Sequence, residues 1–75
     1  AFYSNAPTPA PDGGTYTFSI PFAYISGSLQ VYRKGKLEES SLYTESPDAG
    51  TFTYTEAPAL DDNLWVICYL SGAVI

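Results

Sequence analysis

Covalent catalysis needs a nucleophile, a base to take its proton and a group to orient that base. This 75-residue chain is rich in Ser and Thr but contains no histidine. Lys34 and Lys36 flank Gly35 in "VYRKGKL", an exposed turn and a poor setting for a base. Cys68 is the only cysteine and lies inside the apolar run "LWVICYL", where a thiol serves as a small hydrophobe. The neighbouring acids Glu38-Glu39 and Asp61-Asp62 do not make dyads, because successive strand residues point to opposite faces. Asp61-Asp62-Asn63 offers oxygens but lacks the alternating spacing and the glycine of a calcium loop, so it reads as a polar turn. Gly13-Gly14 precedes a strand pattern, whereas a phosphate cradle precedes a helix. The expectation is a protein that is not an enzyme, with no catalytic, cofactor-binding or metal-binding residues and no cofactor.

The charged residues bear on partners. Net charge is −5, which opposes binding to nucleic acid and to anionic membranes. All three cations, Arg33, Lys34 and Lys36, fall within seven residues around Gly35. They read as a solvated hairpin tip, with Val31 and Leu37 returning to the core on either side. They are also a candidate polar interface, since a basic tip on an acidic molecule suits its own copies or an acidic neighbour.

Aromatic rings are dense, with seven Tyr, four Phe and Trp65. Tyr24, Tyr32 and Tyr43 fall outside the clearest core pattern. The loop "PFAYISGS" carries Phe22, Tyr24 and Ile25, and either folds onto its own core or forms an assembly contact. Phe2 and Tyr3 near the start either anchor on a neighbour or pack on the domain's own sheet. Val74 and Ile75 in "SGAVI" are apolar and call for cover. Phe2, Tyr3, Phe22, Tyr24, Ile25, Val74 and Ile75 are therefore the candidate assembly contacts.

The elements that must position these residues are strands. Residues 1–14 hold Pro7, Pro9, Pro11 and a Gly pair, which favour extended backbone and forbid a helix, and they read as an arm. From Thr15 the pattern alternates. "TYTFSI" puts Tyr16, Phe18 and Ile20 on one face, "SLQVYR" pairs Leu29 with Val31, and "TFTYTE" points Phe52 and Tyr54 inward. "SLYTE" is a short strand. "LWVICYL" is apolar on both faces, as in a central strand or one covered by a partner. The predicted fold is all-β: a small antiparallel sandwich or open barrel, Ig-like, of five to six strands over residues 15–75, behind an extended Pro-rich N-terminal arm. No apolar run has the roughly 20 residues of a membrane helix. The first residues lack the basic region and apolar core of a signal peptide. A lone Cys suits synthesis in a reducing cytoplasm. A domain this small is marginal without a disulfide, a metal or a partner, which favours assembly.

The order of elements resembles a short β module of tailed-bacteriophage tail-fibre and other virion structural proteins. The matching positions are Phe18 to Pro21, Leu29 to Leu37, Tyr43-Thr44, Gly50, Phe52 and Tyr54, Ala57-Pro58, Asp61 to Asn63, and Val66 to Tyr69, covering roughly residues 15 to 70. The module usually has Asn before the turn glycine, where this chain has Lys34. Lys tolerates left-handed backbone less well, so a longer turn with Gly35 alone left-handed competes with a two-residue turn. The resemblance implies a virion protein, made in the host cytoplasm, that assembles non-covalently with other virion proteins and with its own copies, trimers being usual in phage fibres. It implies no catalytic residues. The rival reading is a carbohydrate-binding or host-adhesion module, with Tyr24, Tyr32 and Tyr43 as stacking residues.

Overall fold

The computed structural model describes residues 1–72. Seven strands run through it: β1 (Phe2–Asn5), β2 (Thr17–Ser19), β3 (Gln30–Arg33), β4 (Lys36–Leu37), β5 (Tyr43–Ser46), β6 (Thr51–Tyr54) and β7 (Leu64–Tyr69). Two 3₁₀ turns, Ser40–Leu42 and Pro47–Ala49, flank β5. The strands form two antiparallel sheets, of order β1-β7-β3-β4 and β2-β6-β5. No α-helix occurs among the described residues. The all-β antiparallel fold expected from the alternation is present, and of the sandwich and open-barrel alternatives it takes the form of two sheets.

The core follows from the strand period. Val31, Leu64, Val66 and Cys68 face inward from the first sheet, and Phe18, Phe52, Tyr54 and Tyr43 from the second. All eight are buried. The rings of the second sheet pack on one another, with Phe18 stacked on Phe52 at 5.8 Å and Tyr43 edge-on to Phe52 at 5.8 Å. Aromatic pairs at such separations add to the gain from area alone. Burial pushes the Cys68 thiol above its ordinary range, so it remains protonated.

Several expectations need correction. Tyr16 is 49% exposed, because β2 begins only at Thr17 and Tyr16 overhangs the end of the core. Leu37 does not return to the core. It lies opposite Tyr32 on the outer face and is 58% exposed. The start of the presumed arm is a strand of the main sheet: Phe2 pairs with Tyr69, Tyr3 with Cys68, Ser4 with Ile67 and Asn5 with Val66. Leu70 N–H donates to Ala1 O at 2.7 Å, which extends that pairing. The strand β7 is therefore central, flanked by β1 and β3. Its inner face fills the core, while Trp65 and Tyr69 on its other face are about half exposed.

Candidate functional site

Two places gather the residues that sequence reasoning singled out. The first is the outer face of the four-stranded sheet. Because side chains alternate, the register places Phe2 and Ser4 of β1, Trp65, Ile67 and Tyr69 of β7, Gln30 and Tyr32 of β3 and Leu37 of β4 on one surface. None of the eight is charged. Phe2 meets Tyr69 edge-on at 5.7 Å. Trp65 lies directly across from Tyr32. The polar tips are engaged within the face: Trp65 Nε1–H donates to Ser4 Oγ at 2.8 Å, and Tyr32 O–H donates to Gln30 Oε1 at 3.3 Å. The result is an uncharged aromatic surface on an acidic molecule. The opposite outer face, on the second sheet, is built of hydroxyls, with Thr17 Oγ1 and Thr53 Oγ1 hydrogen-bonded at 2.9 Å. One side of the sandwich suits solvent, and the other carries rings.

The second place is the basic turn, and it is less solvated than expected. Lys34 and Gly35 both have left-handed backbone, φ 52° and 81°, so β3 and β4 are joined by a two-residue turn. Gly35 adopts that conformation at no steric cost, while Lys34 is held there by two bonds. Its N–H donates to Asn63 O at 2.8 Å, and its ammonium lies 3.3 Å from Asp62. Arg33 reaches inward, not outward. Its Nε donates to Glu38 Oε1 at 2.5 Å and its Nη1 to Asp62 Oδ2 at 3.3 Å, and the guanidinium lies 5.1 Å from the Tyr54 ring centre. Tyr54 O–H also donates to Glu38, at 3.1 Å. Burial, with Glu38 beside it, holds the Tyr54 phenol far above its ordinary range. The Ala59 N–H, then Lys34 and Arg33, hold the Asp62 carboxyl below the usual carboxylate range. Two of the three cations are thus tied to acids, and they wall an open cleft of about 570 Å³ with Lys36, Glu38 and Tyr54. Its charges are largely compensated from within the chain, which makes it a structural clamp between the sheets. Among the described residues no group of three potential metal ligands occurs.

The candidate assembly contacts separate on inspection. Tyr24 is a correction: it is 2% exposed. Its backbone bridges to Leu70, which turns the ring between the sheets, and its hydroxyl donates to Thr51 O at 2.5 Å. It belongs to the core and offers no surface to a partner. Tyr43 is likewise buried, which removes both from any stacking site and leaves Tyr32 of the three. Tyr3 packs against the core and meets Phe22 edge-on at 6.0 Å. Phe2, Phe22 and Ile25 remain about half exposed. Val74 and Ile75 lie outside the described residues. The sequence reading missed Trp65, Ile67 and Tyr69 as surface residues. Their signal was present in the double-faced apolar pattern of β7, which is satisfied in the single chain on one face only.

Comparison with protein-family models, with curated proteins and with solved structures found no match.

Proposed function

We propose that the chain is a structural protein of a bacteriophage virion, a head-decoration, fibre or tail-fibre/adaptor component that acts by non-covalent assembly and performs no catalysis. The observation that carries the docking role is the uncharged aromatic outer face of the four-stranded sheet, a composition typical of interface cores. The virion assignment rests on the sequence resemblance, whose positions fall on the β3–β4 turn, on the left-handed Gly50 and on the buried Phe52 and Tyr54. An Ig-like sandwich belongs to the same reading, as does the strap role expected of the N-terminal arm, residues 1–14, of which Phe2–Asn5 is strand β1. The partners are other virion proteins and further copies of the chain, with neither nucleic acid nor membrane.

The test is to locate the chain by mass spectrometry in purified particles and to ask whether a folded Ile67→Glu variant still enters them. Presence of the parent with loss of the variant supports the reading. Absence of the parent chain from particles overturns it.

A second reading, a carbohydrate-binding or host-adhesion module, is favoured by the half-exposed Trp65 and Tyr69 rings. A glycan array probed with the parent and with Trp65→Ala discriminates, and no binding by the parent removes this reading.

A further inference from the structure

The docking role assigned above to the outer face leaves open what covers it, and the pattern on that face is close to self-complementary. Along β7 an aromatic pair stands at each end, Trp65 with Tyr32 and Tyr69 with Phe2. Ile67 lies midway, flanked by Ser4 and Gln30. On the β1 edge the ring, Phe2, stands at the Tyr69 end only. Near Trp65, at the far end, there is instead a mostly apolar slot of about 270 Å³, lined by Ala6, Pro7, Ala10, Pro11, Leu64 and Trp65 with one polar residue, Asn63.

We propose that this face packs against the same face of a second copy of the chain, as a two-fold pair in which Phe2 of each copy seats in the proline-lined slot of the other. A two-fold contact requires a patch on which residue i meets residue j and j meets i. A dyad lying in the contact plane, across the strands and over Ile67, meets that requirement. It sets Ile67 against Ile67 and Trp65 against Tyr69. It also carries Phe2 along β1 to the slot end, a shift of roughly 13 Å for the four-residue step from Tyr69 to Trp65.

Three further observations favour a copy of this chain over other occupants. Phe2, Leu37, Trp65 and Tyr69 are each 45–59% exposed. At roughly 200 Å² apiece when free, they present about 400 Å² of apolar surface before Tyr32 and Ile67 are added, the range of functional patches on small proteins. A standard interface buries roughly 800 Å² per partner, and Ser4, Gln30 and the slot residues extend the patch towards that size. The −5 charge of each copy lies off the face, so like charges are not driven together. The indole N–H and the Tyr32 hydroxyl already have acceptors within the chain, so a flat apolar partner strands neither, whereas a sugar would have to compete for them.

Sedimentation equilibrium of the full chain tests this. The expected species is twice the 8.1 kDa chain mass. Ile67→Glu sets two carboxylates against each other at the dyad and should weaken pairing at least 100-fold. Ala10→Trp fills the slot and should weaken it about tenfold, after which Phe2→Ala adds no further loss. Thermal melts confirm that each variant is folded, and if Ile67→Glu does not fold, the Ala10 and Phe2 variants carry the test. A parent chain that is monomeric at submillimolar concentration, a trimeric or larger ring, or a pair indifferent to these variants overturns the proposal. A monomer that enters particles through the Ile67 face overturns the pair and leaves the docking role standing. A monomer that does not enter them overturns both.

Discussion

Tyr24→Phe separates a core residue from a contact residue by the removal of one oxygen. In the fold, Tyr24 bridges through its backbone to Leu70, the residue after β7, and donates its hydroxyl to Thr51 O of the second sheet, at 2.5 Å. The ring is buried, and Phe fills the same volume, so no cavity opens. What is lost is one buried hydrogen bond. Its net value plus the cost of leaving the carbonyl less well satisfied comes to about 1–2 kcal/mol. A chain of this length has a total stability of roughly 4–11 kcal/mol, so the loss is readily measured. At about 4–8 °C per kcal/mol, the melting temperature should fall by roughly 4–16 °C. Urea unfolding should show a lower midpoint with an unchanged slope, since the surface exposed on unfolding is the same. Ile25→Ala, at a neighbouring half-exposed position, is the control and should cost less than about 1 kcal/mol. The reasoning is refuted if Tyr24→Phe melts with the parent while weakening an association, which is the behaviour of a surface contact.

Further outcomes follow from other parts of the fold. Asp62 has a lower pKa folded than unfolded, so its contribution is present above about pH 5 and lost as the pH falls below about 4; Asp62→Asn should flatten the acid limb of a stability–pH curve relative to the parent. Gly35→Ala places a Cβ on left-handed backbone with no neighbouring atom to clash, so its cost is conformational, about 1–2 kcal/mol by chemical denaturation. Cys68 is buried between the sheets, on the strand that β1 flanks, and a thiol reagent should label it at the rate of unfolding or of β1 opening; labelling as fast as for a free thiol would contradict the burial of Cys68. Deleting residues 1–5 should unfold the domain instead of releasing an intact monomer, read by circular dichroism, because Tyr3 and the β1 pairing go with them.

Alternation of apolar residues was enough to place Phe18, Val31, Phe52 and Tyr54 in a common core; the double-faced apolar run of β7 left a central strand and a partner-covered strand both open, and the pairing with β1 and β3 makes it central. The turn at Lys34-Gly35 was legible in its position. Its two-residue form was not, because the bonds that hold Lys34 in left-handed backbone come from Asn63 and Asp62, nearly thirty residues on. Arg33 misled for a similar reason. A basic residue beside a turn glycine reads as solvated, and only the tertiary fold brings Glu38, Asp62 and the Tyr54 ring around it. Tyr24 lies in a loop without period, so nothing local marks it as core. Phe2 and Tyr3 precede a proline-rich stretch that hides a strand whose partner, β7, lies more than sixty residues away.

The central claim is that the outer face of the four-stranded sheet is covered when the protein does its work. Trp65 is the only tryptophan, and it stands on that face, so its fluorescence reports on the claim directly. Iodide quenching should be measured from micromolar to submillimolar protein, and again with purified particles. Trp65 emission should shift to the blue and lose its access to quencher as the chain associates, and a folded Tyr69→Ala variant should do neither. Trp65 emission that remains equally quenchable in the free, concentrated and particle-bound states would contradict it.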